Sequence, residues 1–169
     1  DTGQSVSVPS PNNVHCAPGS ATAVVTQYSG GIRSYIVSGL TLVDTRATTG
    51  SAQSGAFNPA GDRFFVRGSS SIHAFTYNSA TGALGASPLY TIAAGTSNGY
   101  YAMDQLAVHP NGAKFYAGVS GALNVYNTST GALITSITNA NITSPTGVCF
   151  ASGISVVGQG CPHHRVHGH

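Results

Sequence analysis

Glutamate is absent from this chain, and aspartate occurs only at Asp1, Asp44, Asp62 and Asp104. So few scattered carboxylates argue against the acid–base pair of a glycosidase and against an all-carboxylate Ca²⁺ cage. The six basic residues, Arg33, Arg46, Arg63, Arg67, Lys114 and Arg165, are not gathered with aromatics. That argues against a nucleic-acid partner. No run of about 20 apolar residues exists to span a membrane. No Cys-x-x-Cys-His motif is present, so covalent haem attachment is not indicated. No stretch of useful length carries the helix period, which leaves an all-β chain.

What remains is rich in small and polar residues. Charged residues make up 6% and hydrophobic ones 41%. The apolar share is too high and too regularly alternating for a disordered tail. The low charge gives little repulsion between copies, so a homo-oligomer formed through sheet edges is expected. The composition suits an extracellular or cell-surface protein. The start at Asp1, without Met or a signal peptide, reads as a processed N-terminus.

The clearest organisation lies in Leu106–Leu133, LAVHPNGAKFYAGVSGALNVYNTSTGAL. Three short apolar runs are separated by Pro110-Asn111-Gly112 and by Ser120-Gly121, and the last run ends at Thr130-Gly131. Strand, turn, strand, turn, strand is a β-meander. Gly55–Leu84 repeats it. Pro59 matches Pro110, Gly61 matches Gly112, Phe64-Phe65 matches Phe115-Tyr116, and Thr81-Gly82 matches Thr130-Gly131. A degenerate copy runs through Ala21–Gln27, Arg33–Ser38 and Leu40–Asp44 and ends at Thr49-Gly50, without a Pro-x-Gly turn. Ser144–Phe150 reads as the innermost strand of a fourth unit, with Ile154–Val157 next. Repeats of roughly 40–50 residues, each a small antiparallel sheet, suggest propeller blades.

These residues resemble the YVTN-type β-propeller repeat family. Val108–Ala117 carries the first half of its pattern, and Leu123–Gly131 carries the second, ending in Asn-Thr-x-Thr-Gly. The resemblance covers about 85 residues and implies a fold more than a function, because such repeats serve lactonases, surface proteins and binding scaffolds. At about 45 residues per blade the chain supplies some three and a half blades, against a usual minimum near four. The expected architecture is therefore a partial or oligomer-completed β-propeller, with a β-sandwich as the alternative. The expected organisation is an N-terminal extended arm over 1–20, with Ser5–Val8 as its strand-like run. A β-propeller-like repeat domain follows over 21–158, then a His-rich tail over 159–169.

Chemistry-bearing residues are few. The tail places Cys161, His163, His164, His167 and His169 within nine residues. Imidazole and thiolate are ligands for Zn, Cu or Ni, and the opposing reading is a His-rich end with no physiological metal. Three cysteines fit one disulfide and one leftover thiol in an oxidising compartment. Cys16 with Cys161 would tie the two ends together. Cys149 reads as a strand residue with a buried thiol, and its sequence neighbours offer no base for a nucleophile. Pairing of Cys149 instead stays open.

Tyr100 and Tyr101 form the one aromatic pair in a long loop, Gly95–Met103. They suit stacking on a glycan ligand, or packing over the end of a blade. His73 and His109 lie in or beside strands and read as structural. Asn127-Thr128-Ser129 and Asn141-Ile142-Thr143 are glycosylation sequons in expected loops. A Ser-His-Asp set can be assembled on paper, but no nucleophile-elbow motif supports it.

The expected function is that of a secreted, non-catalytic repeat protein. It would act in self-assembly or recognition at the cell surface or in a matrix, as an oligomer or filament subunit. The resemblance alone implies a competing lactonase-like hydrolase, and the tyrosine pair a carbohydrate-binding module.

Overall fold

The computed structural model describes residues 4–96, 105–142, 145 and 147–150. They form three antiparallel sheets. The first holds β1 (Pro11–Cys16), β2 (Thr22–Gln27), β3 (Gly31–Ile36) and β4 (Thr41–Ala47). The second holds β5 (Ala52–Phe57), β6 (Arg63–Gly68), β7 (Ser71–Asn78), β8 (Ala83–Leu84) and β9 (Tyr90–Ala93). Both β8 and β9 pair with β7, at its two ends. The third holds β10 (Leu106–Val108), β11 (Lys114–Val119), β12 (Ala122–Asn127) and β13 (Leu133–Ile137). Among the described residues the only helical element is a 3₁₀ turn at Val37–Gly39. No helix there is long and apolar enough to cross a membrane.

The turns explain why neighbouring strands pair. Asn78 Oδ1 accepts the backbone N–H of Ala80 and Thr81 at 3.0 and 3.2 Å. Asn127 Oδ1 does the same for Ser129 and Thr130 at 2.8 and 3.1 Å. These Asx turns bend the chain, and Gly82 and Gly131 complete them at φ +78° and +73°.

The second sheet is buried on both faces. On one side Phe64, Val66, Phe75, Tyr77 and Leu84 pack with Ala17, Val24 and Ile32 of the first-sheet region. On the other, Phe65, Ile72 and Ala74 pack with Leu106, Phe115, Ala117 and Tyr126 of the third. The innermost strands β1, β5 and β10 are neighbours in sequence along the stack.

The two sheet–sheet junctions repeat one design. A Cβ added at Gly61 would stand 3.5 Å from Pro18 Cδ, and one at Gly112 would stand 3.6 Å from Pro59 Cδ. Thr22 Oγ1 donates to the Ser79 carbonyl at 3.1 Å, and Arg63 Nη1 to the equivalent Thr128 carbonyl at 3.0 Å. The chain is thus an all-β protein of antiparallel meander repeats. Among the described residues no sheet closes into a barrel, and the stack is compatible with either a partial propeller or a sandwich.

The expected strands between residues 21 and 137 appear, but both ends of the chain differ: of the expected strand Ser144–Phe150 only a bridge at Gly147 is seen, and Ile154–Val157 lies outside the described residues. Ser5–Val8 forms no strand, whereas Pro11–Cys16 is the innermost strand of the first sheet. Ala17-Pro18-Gly19 then supplies the turn that the degenerate repeat appeared to lack, with Gly19 at φ +64°. The polar Asn12 and Asn13 hid this strand. The partners of Asn12 lie far along the chain, since its Nδ2 donates to the Ala52 and Gln53 carbonyls at 3.2 and 2.9 Å. Near the other end Gly147 makes a single bridge. Phe150 stands edge-on to Tyr116 and His109, each 5.0 Å between centroids, on the side of the third sheet away from the second.

Candidate functional site

The polar interior gathers on the second sheet. Arg67 lies in β6, within the apolar run Phe64-Phe65-Val66, and is 0% exposed. Strand alternation turns it to the same side as Phe65, toward the third sheet. Its guanidinium has no carboxylate partner among the described residues. Nη2 instead donates to the Gly95 carbonyl at 2.9 Å and, at longer range, to the Ala94 carbonyl, while Nη1 reaches the Ser71 carbonyl at 3.4 Å. Burial pushes this group down to about 10, and the nearby Tyr126 phenol opposes the shift. Among the described residues the buried hydroxyl of Ser54, directly opposite on β5, has no hydrogen-bond partner, nor does Arg67 Nε. Both amide atoms of the fully buried Gln105 likewise find no partner among the described residues.

His73 is buried on the other side of the sheet. Its Nε2 accepts the Thr49 backbone N–H at 3.2 Å and lies 3.1 Å from Ser71 Oγ. A serine beside a histidine suggests a nucleophile and its base. Here the second ring nitrogen meets Thr91 Oγ1 at 3.1 Å, not a carboxylate. Ser71 Oγ also donates to the Thr49 carbonyl at 3.3 Å. The pair therefore clamps the loop between the first and second sheets. Burial lowers the His73 pKa from its ordinary value, which keeps the ring neutral for that clamp.

The described acids are also committed to structure. Asp44 Oδ1 takes Arg46 Nη1 at 2.9 Å, and its Oδ2 takes the Leu84 N–H at 2.9 Å. Arg46 then reaches the Leu84 and Gly85 carbonyls, both at 2.8 Å, fastening the first sheet to the second. Asp62 accepts from Asn58 Nδ2 within a turn. His109 Nδ1 accepts the Asn111 N–H at 3.2 Å, which is turn chemistry again. Among the described residues no three His, Cys, Asp or Glu side chains come together.

A shallow groove of about 290 Å³ opens between the second and third sheets. Ile92, Thr96, Asn124, Tyr126 and Leu133 are among its lining residues. Asn124 Nδ2 donates to the Tyr126 hydroxyl at 3.0 Å, so its polar groups are already engaged with each other.

Several residues singled out from sequence, Tyr100, Tyr101, Asp104, Cys161, His163, His164, His167 and His169, lie outside the described residues. The expected pairing of Cys16 with Cys161 is corrected. Cys16 is an exposed free thiol, because β1 turns Val14 and Cys16 outward while His15 points in. Cys149 is exposed rather than buried, and it is disulfide-bonded. Of the two sequons, Asn127 sits in its Asx turn with Thr128 buried beside it, and Asn141 is exposed. Sequence reasoning missed Arg67, Gln105 and His15. An arginine directly after the apolar run Phe64-Phe65-Val66 was the one legible signal among them.

No family model matches the chain, and no curated protein matches it either. Solved structures do. A functionally unknown protein from Desulfotomaculum acetoxidans DSM 771 superposes with a TM-score of 0.73 at 18% identity, over 85% of this chain and 48% of that one. Kuenenia stuttgartiensis hydrazine synthase superposes with a TM-score of 0.68 at 17% identity, over 87% of this chain and 41% of that one. At such identities the likeness is one of fold. This chain spans less than half the length of either structure.

Proposed function

We propose that this chain is a secreted, non-catalytic repeat scaffold that works by assembling with copies of itself at a cell surface or in a matrix. The observation that carries this reading is the distribution of charge over the stacked sheets. From Phe115 to His164 the sequence contains no Asp, Glu, Lys or Arg. That stretch supplies nearly all of β11, β12 and β13. A β-sheet that ends in an uncharged edge lacks the usual protection against pairing with another chain. The polar groups inside the stack support the same reading, since His73, Asp44 and Arg46 join sheets rather than converge on a substrate.

Sedimentation velocity on the natural material over a range of concentrations tests the proposal. Species that grow in mass with concentration are expected. A monomer that persists at high concentration overturns it.

A further inference from the structure

The groove between the second and third sheets has a buried positive charge behind one wall. Arg67 is 0% exposed, and its guanidinium grips that wall from inside the stack. Nη2 donates to the Gly95 carbonyl at 2.9 Å and to the Ala94 carbonyl at 3.5 Å. Ala94, Gly95 and Thr96 all line the groove. A trans peptide points its N–H opposite to its C=O. The N–H groups of Gly95 and Thr96 share peptide units with those two carbonyls, so they point away from Arg67. Neither meets an acceptor among the described residues. Gly95 stands at φ +67°, and a Cβ there would meet nothing within 4 Å among the described residues, so the backbone is approachable. The Ser120 N–H donates to the Thr96 carbonyl at 3.3 Å and fixes the third-sheet wall against this segment.

We propose that this groove binds a short aliphatic carboxylate, whose oxygens accept the Gly95 and Thr96 N–H groups. Successive backbone N–H groups make a concavity that suits an anion. A carbonyl bonded to a guanidinium polarises its own peptide, which makes the N–H at the other end a stronger donor. Arg67 has no carboxylate partner among the described residues to cancel its field. The aliphatic tail would lie against Ile92 and Leu133, which line the groove beside these donors. At about 290 Å³ the groove is small for a ligand pocket, which limits that tail to a few carbons. This site adds recognition of a ligand to the scaffold and does not depend on self-assembly.

Titration of the ¹⁵N-labelled full chain with isovalerate, and with isovaleramide as its uncharged isostere, tests the site. Isovalerate should shift the Gly95 and Thr96 amide resonances to saturation. Isovaleramide should bind about tenfold more weakly, because its bonds to the same donors are not charge-assisted. Leu133 is 55% exposed, so Leu133→Asp should fold as the unaltered chain does. Its carboxylate at the rim should weaken isovalerate about fivefold and leave isovaleramide unchanged, while Leu133→Asn should leave both unchanged. Arg67→Gln should also weaken isovalerate selectively, and where that variant fails to fold the Leu133 pair decides. No saturable shift with isovalerate, equal binding of the two probes, or isovalerate affinity unchanged in Leu133→Asp overturns the site.

Discussion

His15 couples the fold to pH. Its ring lies 5.5 Å from that of Phe64 between centroids, and burial pushes its pKa down to about 4 from 6.5. The unfolded chain then binds more protons than the folded one at any pH between those two values. Stability therefore falls as pH drops from about 6.5 to about 4, by at most about 3 kcal/mol. His73 is shifted in the same direction and adds to the slope. Urea titrations at stepped pH should show this loss, and His15→Leu should flatten most of it. An unchanged slope in that variant would place the titrating group elsewhere. Cys16 makes a second prediction. Under native, non-reducing conditions an alkylating reagent should label Cys16 and leave Cys149 unmodified, as read by peptide mass spectrometry. Neither behaviour was legible in the sequence. A lone histidine between Val14 and Cys16 gives no sign of which way it points until β1 finds its place beside β5.

Strand and turn were legible wherever the signal was local. The repeated Asn-x-x-Thr-Gly ends and the Pro-x-Gly turns announced the second and third sheets. β1 was not legible, because its pairing with β2 and its side-chain bonds to residues some forty positions on are tertiary facts. Two glycines separate the local from the tertiary requirement at element scale. Gly121 and Gly131 both stand at positive φ, +78° and +73°. A Cβ at Gly121 meets nothing within 4 Å among the described residues, whereas one at Gly131 would lie 2.6 Å from the Tyr90 ring. Tyr90 cannot easily yield, because its hydroxyl donates to the Thr128 carbonyl at 2.7 Å. Gly121→Ala should cost only the left-handed strain, about 1–2 kcal/mol. Gly131→Ala should cost about 1–3 kcal/mol more, from overpacking at the junction of the second and third sheets. Chemical denaturation of the two variants checks the difference. Equal losses would mean that the junction relaxes around the added methyl.

Charge is divided unevenly over the whole molecule. The described acidic and basic side chains belong to the first two sheets and to Lys114 at the start of β11. The first two sheets use several of them for their own junctions, through Asp44, Arg46 and Arg63. Beyond Lys114 the third sheet offers hydroxyls, amides, aliphatic groups and aromatic rings, and no charge. Association through such a surface draws on backbone pairing and apolar burial, and neither is screened by simple salt. The proposed assembly should therefore change little between low and high sodium chloride. It should strengthen in ammonium sulfate, an excluded salt that favours burial of surface. Sedimentation at matched protein concentration in the two salts separates this from assembly through ion pairs. Ion pairing would weaken steadily as sodium chloride screened the few charges on the first two sheets. Dissociation by sodium chloride would move the interface from the uncharged third sheet to the charged side of the molecule.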